Sequence, residues 1–169
     1  MELQNLDYSC GSAALATLLR EFYGIPTDEA EILERIDRES AASFADLSRV
    51  AGSFGFRAVG YRMSLSSVLK LRIPVLIYVK YRQNDHFSVI RGVRPDGLIA
   101  LADPSWGNRR LLPHQFMELW DTEGSGKGLV LVVVPKDKNH PVRPDFFEAP
   151  SAPTAAYDAL HFVSQRRVL

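Results

Sequence analysis

The apolar pattern of this chain changes period near its middle, and that change limits the fold more than any other feature. In the first part the apolar residues recur at helical spacing. Gly11 to Tyr23 is rich in Ala and Leu and is stopped by Gly24-Ile25-Pro26, because glycine accepts the turn that ends a helix and proline cannot continue one. Asp28 to Arg38 carries Ile32, Leu33 and Ile36 on one side, opened by Thr27 and acidic in its first turn, where negative charge suits the helix dipole. Ser43-Phe44-Ala45-Asp46 reads as a capping box for a third helix with Phe44, Leu47, Val50, Ala51 and Phe54 on its apolar face and Gly55 at its end. Ser64 caps one more short helix, which must stop before Pro74 because a residue ahead of proline avoids the helical region.

The second part runs at a period of two. Pro74 to Tyr81, His86 to Arg94, Leu98 to Ala102 and Gly128 to Pro135 read as strands rich in Val, Ile and Leu, with Phe56 to Tyr61 a weaker candidate. Pro95-Asp96-Gly97 is a turn between two of them and predicts an antiparallel hairpin. Pro113 to Trp120 reads as a short helix with proline in its first turn. Helices followed by a run of neighbouring strands predict an α+β fold, N-terminal helices packed on an antiparallel β-sheet, and not an alternating α/β one.

A chain of 169 residues fits one domain that can bury its core without metal or disulfides. Twenty basic and twenty acidic residues leave no net charge, so nothing marks nucleic acid or an anionic membrane as a partner. One cysteine cannot form an internal disulfide, no Cys/His cluster offers a zinc site, and no cofactor is implied. The longest strictly apolar run, Leu129 to Val134, is far short of the ~20 residues that span a bilayer. Only three residues precede Gln4, with neither a basic n-region nor an apolar h-region. Either the native chain begins at Met1, or Met1 stands in place of a removed leader. After Pro135 the composition turns proline-rich and aperiodic. The expectation is a folded domain over 1–135, a linker draped on the surface over 136–154, and a tail over 155–169. That tail is open to a last helix with Tyr157, Leu160, His161 and Val163 near one face.

The chemistry centres on Cys10, the single cysteine, placed where the first helix begins and six residues after Gln4. A thiol attacks carbonyls only as the thiolate, and an ordinary thiol with pKa near ~8.5 is only a few per cent ionised at pH 7. A helix N-terminus offers unpaired N–H groups and partial positive charge that favour the anion. Gln4 supplies a neutral amide able to hold an oxyanion. A thiolate nucleophile also needs a base and something to orient it. Of the four histidines, His114 falls in the short helix, His140 in the linker and His161 in the tail, whereas His86 opens a strand beside a polar loop. Asp103, at the end of the strand that returns through the hairpin, is the candidate orienter. His86 lies ten residues before Asp96-Gly97 and Asp103 six after it, so contact needs a bulge or a longer loop. Taken singly, each has a plainer reading: a buried small hydrophobe, a solvated strand-end histidine, an Asp-Pro turn and a frayed terminal glutamine. Their joint order is the signal.

That order resembles the C39 family of bacterial peptidases, the papain-like domains that remove double-glycine leaders from exported peptides. The resemblance runs through Gln4 to Gly11, Tyr23-Gly24, Phe54-Gly55-Phe56, Ile73-Pro74-Val75-Leu76, His86-Phe87-Ser88-Val89-Ile90, Asp103-Pro104-Ser105-Trp106-Gly107 and Phe116 to Trp120. It implies Cys10 as nucleophile, His86 as general base and acid, Asp103 as orienter, and Gln4 with the Cys10 N–H as oxyanion hole. It implies a cysteine endopeptidase cutting after a small residue, glycine by preference, in the leader of an export substrate. A cleft admitting Gly-Gly would be narrow, and Trp106 or Tyr81 is the candidate to wall it. Partners would be a leader-bearing peptide or protein and components of a secretion system, including those exporting functional amyloid. Unlike the transporter-borne members, this sequence carries no membrane helices or ATPase. Such stand-alone members place it in the periplasm after loss of a signal peptide, with the cytoplasm as the alternative. A non-catalytic leader-binding or chaperone module, and another Cys-His-Asp acyl-transfer enzyme, remain as rivals.

Overall fold

The computed structural model describes residues 9–36, 42–81 and 84–148. Its centre is an antiparallel sheet of six strands in the order β1-β6-β2-β3-β4-β5. The strands are β1 (Phe56–Ser64), β2 (Val75–Tyr81), β3 (Asn84–Val93), β4 (Ile99–Asp103), β5 (Gly107–Leu111) and β6 (Lys127–Pro135). β6, the most continuously apolar segment, lies between β1 and β2, with Val130, Leu131 and Val133 fully buried. β5 is a strand the sequence reading does not contain. Gly107-Asn108-Arg109-Arg110-Leu111 lacks an apolar alternation because it forms an edge, where charge is tolerated and deters pairing with another chain.

The helices are α1 (Cys10–Thr17), α2 (Glu29–Ile36), α3 (Phe44–Ser53), α4 (Leu65–Val68) and α5 (Pro113–Trp120). α1 continues as a π-helical turn over Leu18–Phe22 and ends at Gly24 with φ of 68°. The Ile25 N–H reaches back to the Leu19 carbonyl at 2.9 Å, one residue wider than the usual closing bond, in keeping with the wider winding. α2 is capped by Asp28, whose side chain accepts the Glu31 N–H at 2.9 Å, and not by Thr27, whose hydroxyl bonds the Glu31 carboxylate instead. The Ser43/Asp46 capping box opens α3 as expected, each side chain accepting the other's backbone N–H. Ser64 caps α4.

Strand register separates the two layers. Phe56 and Ala58 on β1 share a face with Leu131 and Val133 on β6 and with Phe87 on β3. The N-terminal helices cover this face: the Tyr23 ring packs on Phe56, the Tyr23 hydroxyl donates to the Val133 carbonyl at 2.6 Å, and the Ser48 hydroxyl donates to Ala58. α5 covers the opposite face, where Gly128 pairs with Met63. A side chain at Gly128 would overlap the Trp120 indole, whose Nε1 donates to the Leu129 carbonyl at 3.1 Å.

Beyond β6 the chain turns back over the molecule. The His140 ring nitrogen Nε2 donates to the Tyr23 carbonyl at 2.8 Å, and the Arg143 N–H donates to Phe22 at 2.7 Å. A single 3₁₀ turn follows at Pro144–Phe146, Phe147 is buried, and Glu148 joins β3. β2 pairs with β3 only as far as Val75↔Ile90, and Glu148 takes the place beyond it, donating to Arg91 and accepting from Val93. Gly92 admits this approach, since a Cβ there would lie 2.6 Å from that of Glu148. No helix among the described residues is long and apolar enough to cross a membrane.

Candidate active site

Cys10 is the first residue of α1, with Ser9 at the N-cap. The helix start is pressed against β3. A Cβ at Gly11 would stand 3.2 Å from both the Ala42 methyl and the Phe87 ring, so the absence of a side chain there sets how near Cys10 comes to the strand that carries His86. Cys10 and His86 are 4% and 6% exposed, and burial has not separated them: the Cys10 side chain hydrogen-bonds the His86 ring.

The other side of the ring belongs to Asp103. Nε2 of His86 stands 3.0 and 2.9 Å from the two carboxylate oxygens. A carboxylate only accepts, so Nε2 is the donor, and Nδ1 is left for Cys10. A β-bulge makes this contact possible. β3 and β4 pair as Val93↔Ile99 and Gly92↔Ala100, then shift to Ile90↔Leu101 and Val89↔Ala102. Without the shift Asp103 would fall opposite Val89, three residues from His86 and on the other face of the sheet. With it, Asp103 falls opposite Ser88, two residues away and on the same face. The sequence count asked for such an irregularity, and Arg91 is the extra residue.

Asp103 is itself held. Its Oδ1 accepts the N–H groups of Ser105 and Trp106, both at 2.9 Å, within the turn that Gly107 closes at φ of 70°. Burial pushes its carboxyl up, but the His86 bond, the His86 charge and the two N–H groups together hold it below the usual carboxylate range. For His86 burial is likewise the largest single influence and disfavours the charged ring. The bonds to Asp103 and Cys10 outweigh it and push the ring up to about 9. A ring in this state is an imidazolium at neutral pH.

Trp106 lies over the imidazole with ring centroids 4.9 Å apart, and Tyr81 meets Trp106 edge-on at 5.0 Å. Both are among the few large apolar side chains left exposed among the described residues, at 40% and 38%, and they form an aromatic rim beside the ring. Arg109, which the sequence reading did not single out, covers the outer face of Trp106 at 5.4 Å. His114 is on the exposed side of α5, and His140 is bound to the Tyr23 carbonyl. Of the described histidines, His86 is the one that meets the sulfur. Gln4 and His161 lie outside the described residues.

The family model described as the Peptidase C39 family matches residues 1–138. The chain belongs to the Peptidase C39 family, a family of cysteine peptidases. Two curated relatives are named "Probable functional amyloid protease FapD". The one from Pseudomonas fluorescens is 34% identical over 70% of this chain and 55% of its own length; the one from Pseudomonas aeruginosa is 31% identical over 82% and 63%. The chain thus spans somewhat more than half the length of these two relatives. An uncharacterized protein of Methanothermobacter marburgensis is 37% identical over 77% of this chain and 84% of its own. The C39 fold is also seen in the peptidase domain of Streptococcus ComA, a bi-functional ABC transporter involved in quorum sensing, with TM-score 0.65, 21% identity, and 76% and 93% of the two chains covered. A double glycine motif protease from an AMS/PCAT transporter, solved in complex with its leader peptide, superposes with TM-score 0.58 at 22% identity, covering 78% and 88%. The fold is papain-like, with helices on an open antiparallel sheet.

Proposed function

We propose that this C39 chain is an endopeptidase that cuts a leader-bearing export substrate after a small residue, glycine by preference. The observation that carries the reading is the His86 ring, bonded on one side to Asp103 and on the other to Cys10. The Cys10 sulfur would attack the carbonyl carbon, forming a C–S bond as the carbonyl oxygen takes up negative charge. Gln4 and the Cys10 N–H would hold that oxygen. As the intermediate collapses and the C–N bond breaks, the His86 proton passes to the departing amine. Water, giving its proton to the same ring, then attacks the thioester, and the peptide acid leaves as the C–S bond breaks and restores the Cys10 thiolate beside the protonated His86 ring. Asp103 stays ionised throughout and keeps Nδ1 turned to the sulfur.

The preference for glycine and for a secretion system, functional-amyloid export included, draws support from the names of the relatives and from the leader peptide bound to the AMS/PCAT protease. The aromatic rim of Trp106 and Tyr81 suits a narrow entrance. The periplasm is the compartment we propose, to be tested by fractionation of a tagged chain. The decisive experiment follows a peptide with a Gly-Gly leader by mass spectrometry. Wild type should cut after the second glycine and accumulate an acyl adduct on Cys10 when quenched early. Cys10→Ala should fold and bind the peptide without cutting it. Cleavage that persists in Cys10→Ala removes the assignment.

A further inference from the structure

On the sheet face turned away from Trp106, beside the bulge, two guanidinium groups converge on a single carboxylate. Arg91 is the bulge residue. Its side chain is 21% exposed and firmly placed: Nη1 donates to the Asn108 side-chain oxygen at 3.1 Å, and the Phe146 ring lies 5.4 Å from the guanidinium carbon. Arg110 comes from β5, where it pairs with Ala100. Arg109, between Asn108 and Arg110, sends its guanidinium to Trp106 instead.

Glu148 meets both arginines, and meets them loosely. Nη2 of Arg91 is 3.4 Å from it, and Nη2 of Arg110 is 3.4 Å from each of its oxygens, whereas charge-assisted bonds of this kind close to about 2.7–2.9 Å. One carboxylate against two guanidiniums leaves one positive charge. Arg91 Nε is buried and has no acceptor among the described residues, and a cleft of about 270 Å³ lies open beside these groups. Glu148 is fixed through its backbone on either side of Gly92, so its side chain can leave the arginines without moving the segment that carries it.

We propose that the Arg91/Arg110 cleft is a binding site for an oxyanion of the phosphate or carboxylate class, with Glu148 as a weak internal ligand that holds the place. Guanidinium forks match both classes in geometry and charge. The ligand comes either from solution as a free anion or from an acidic side chain of a bound peptide. Asn108 pairs with Ala102, the neighbour of Asp103, so the site lies one residue along β4 from the catalytic candidate. The proposal stands whether or not the chain cleaves Gly-Gly leaders.

Calorimetric titration of the full chain with inorganic phosphate, against chloride of matched ionic strength, tests it. Glu148→Gln should bind one phosphate per chain at least tenfold more tightly than wild type. Adding Arg110→Gln, a change at a side chain that is 59% exposed, should weaken that binding tenfold or more with an unaltered near-ultraviolet circular dichroism spectrum. A glutamate-bearing peptide that displaces phosphate from Glu148→Gln, where its glutamine counterpart does not, assigns the site to a peptide side chain. Phosphate binding without such displacement assigns it to a free anion. Titration of Glu148→Gln that is no tighter than wild type, or that ignores the loss of Arg110, overturns the proposal.

Discussion

Three donors share the Asp103 carboxylate: the His86 ring and the N–H groups of Ser105 and Trp106. Because the backbone donors stay in any variant, Asp103→Asn keeps the turn and removes mainly the charge that stabilises the imidazolium. With that charge gone, His86 falls from about 9 toward its ordinary 6.5. The expected outcome is a basic limb of kcat/KM displaced downward by more than about one pH unit, since each unit is only ~1.4 kcal/mol of differential interaction. A complete pH–rate profile of the two proteins checks it, and superimposed basic limbs would count against Asp103 as the orienter. The same shifts set how stability depends on pH. His86, raised, contributes stability that is whole below about pH 6.5 and is lost as pH rises through about 9. Asp103, lowered, contributes stability that is whole above about pH 4 and is lost as pH falls further. The pair therefore supports the fold most between about pH 4 and 6.5. Urea midpoints across pH 4–10 should fall on the alkaline side more steeply in wild type than in His86→Gln.

Elements position these residues by approach and register. Gly11 lets the start of α1 settle on Phe87 and Ala42. Gly11→Val, with a branched side chain where even a methyl is tight, should push Cys10 away from His86. We expect kcat to drop at least tenfold while far-ultraviolet circular dichroism is kept, because near-contact geometry governs proton transfer and attack; full activity would mean that the helix start is free to adjust. At this scale much of the fold is written in the chain. The helical spacing of Leu47, Val50 and Ala51, the capping box at Ser43 and the alternation along β2 and β6 each act through neighbours close in sequence, so each can be read locally. β5 cannot, because an edge strand of Asn108, Arg109 and Arg110 is made by its turn and its partner and has no apolar signal of its own. The site divides the same way. Cys10, His86 and Asp103 are marked by residue type and element end, and the hairpin count even calls for an irregularity. Which residue supplies it, Arg91, and what gathers around that residue depend on a segment more than fifty positions away, which no local pattern announces.

That segment decides how the whole molecule is held. Prolines at 141 and 144 say that the stretch builds no regular ladder; they do not say whether it packs. Its bonds to Phe22 and Tyr23 tie it to the helical layer, and its bond to Arg91 ties it to the sheet, so it closes the two layers against each other at the end of β3. A segment merely resting on the surface would have exposed side chains, and its truncations would cost well under about 1 kcal/mol. Phe147 is only 4% exposed within the main core cluster. Phe147→Ala should therefore cost about 3–5 kcal/mol, the range for emptying a buried aromatic site. In urea this is read as a lowered midpoint at an unchanged slope, since the surface exposed on unfolding stays nearly the same. Because Phe147 adjoins Glu148, which pairs with Gly92 and so stands six residues along β3 from His86, the kcat of the folded fraction should hold at low temperature. A midpoint within error of wild type would mean that the two layers hold together without this segment.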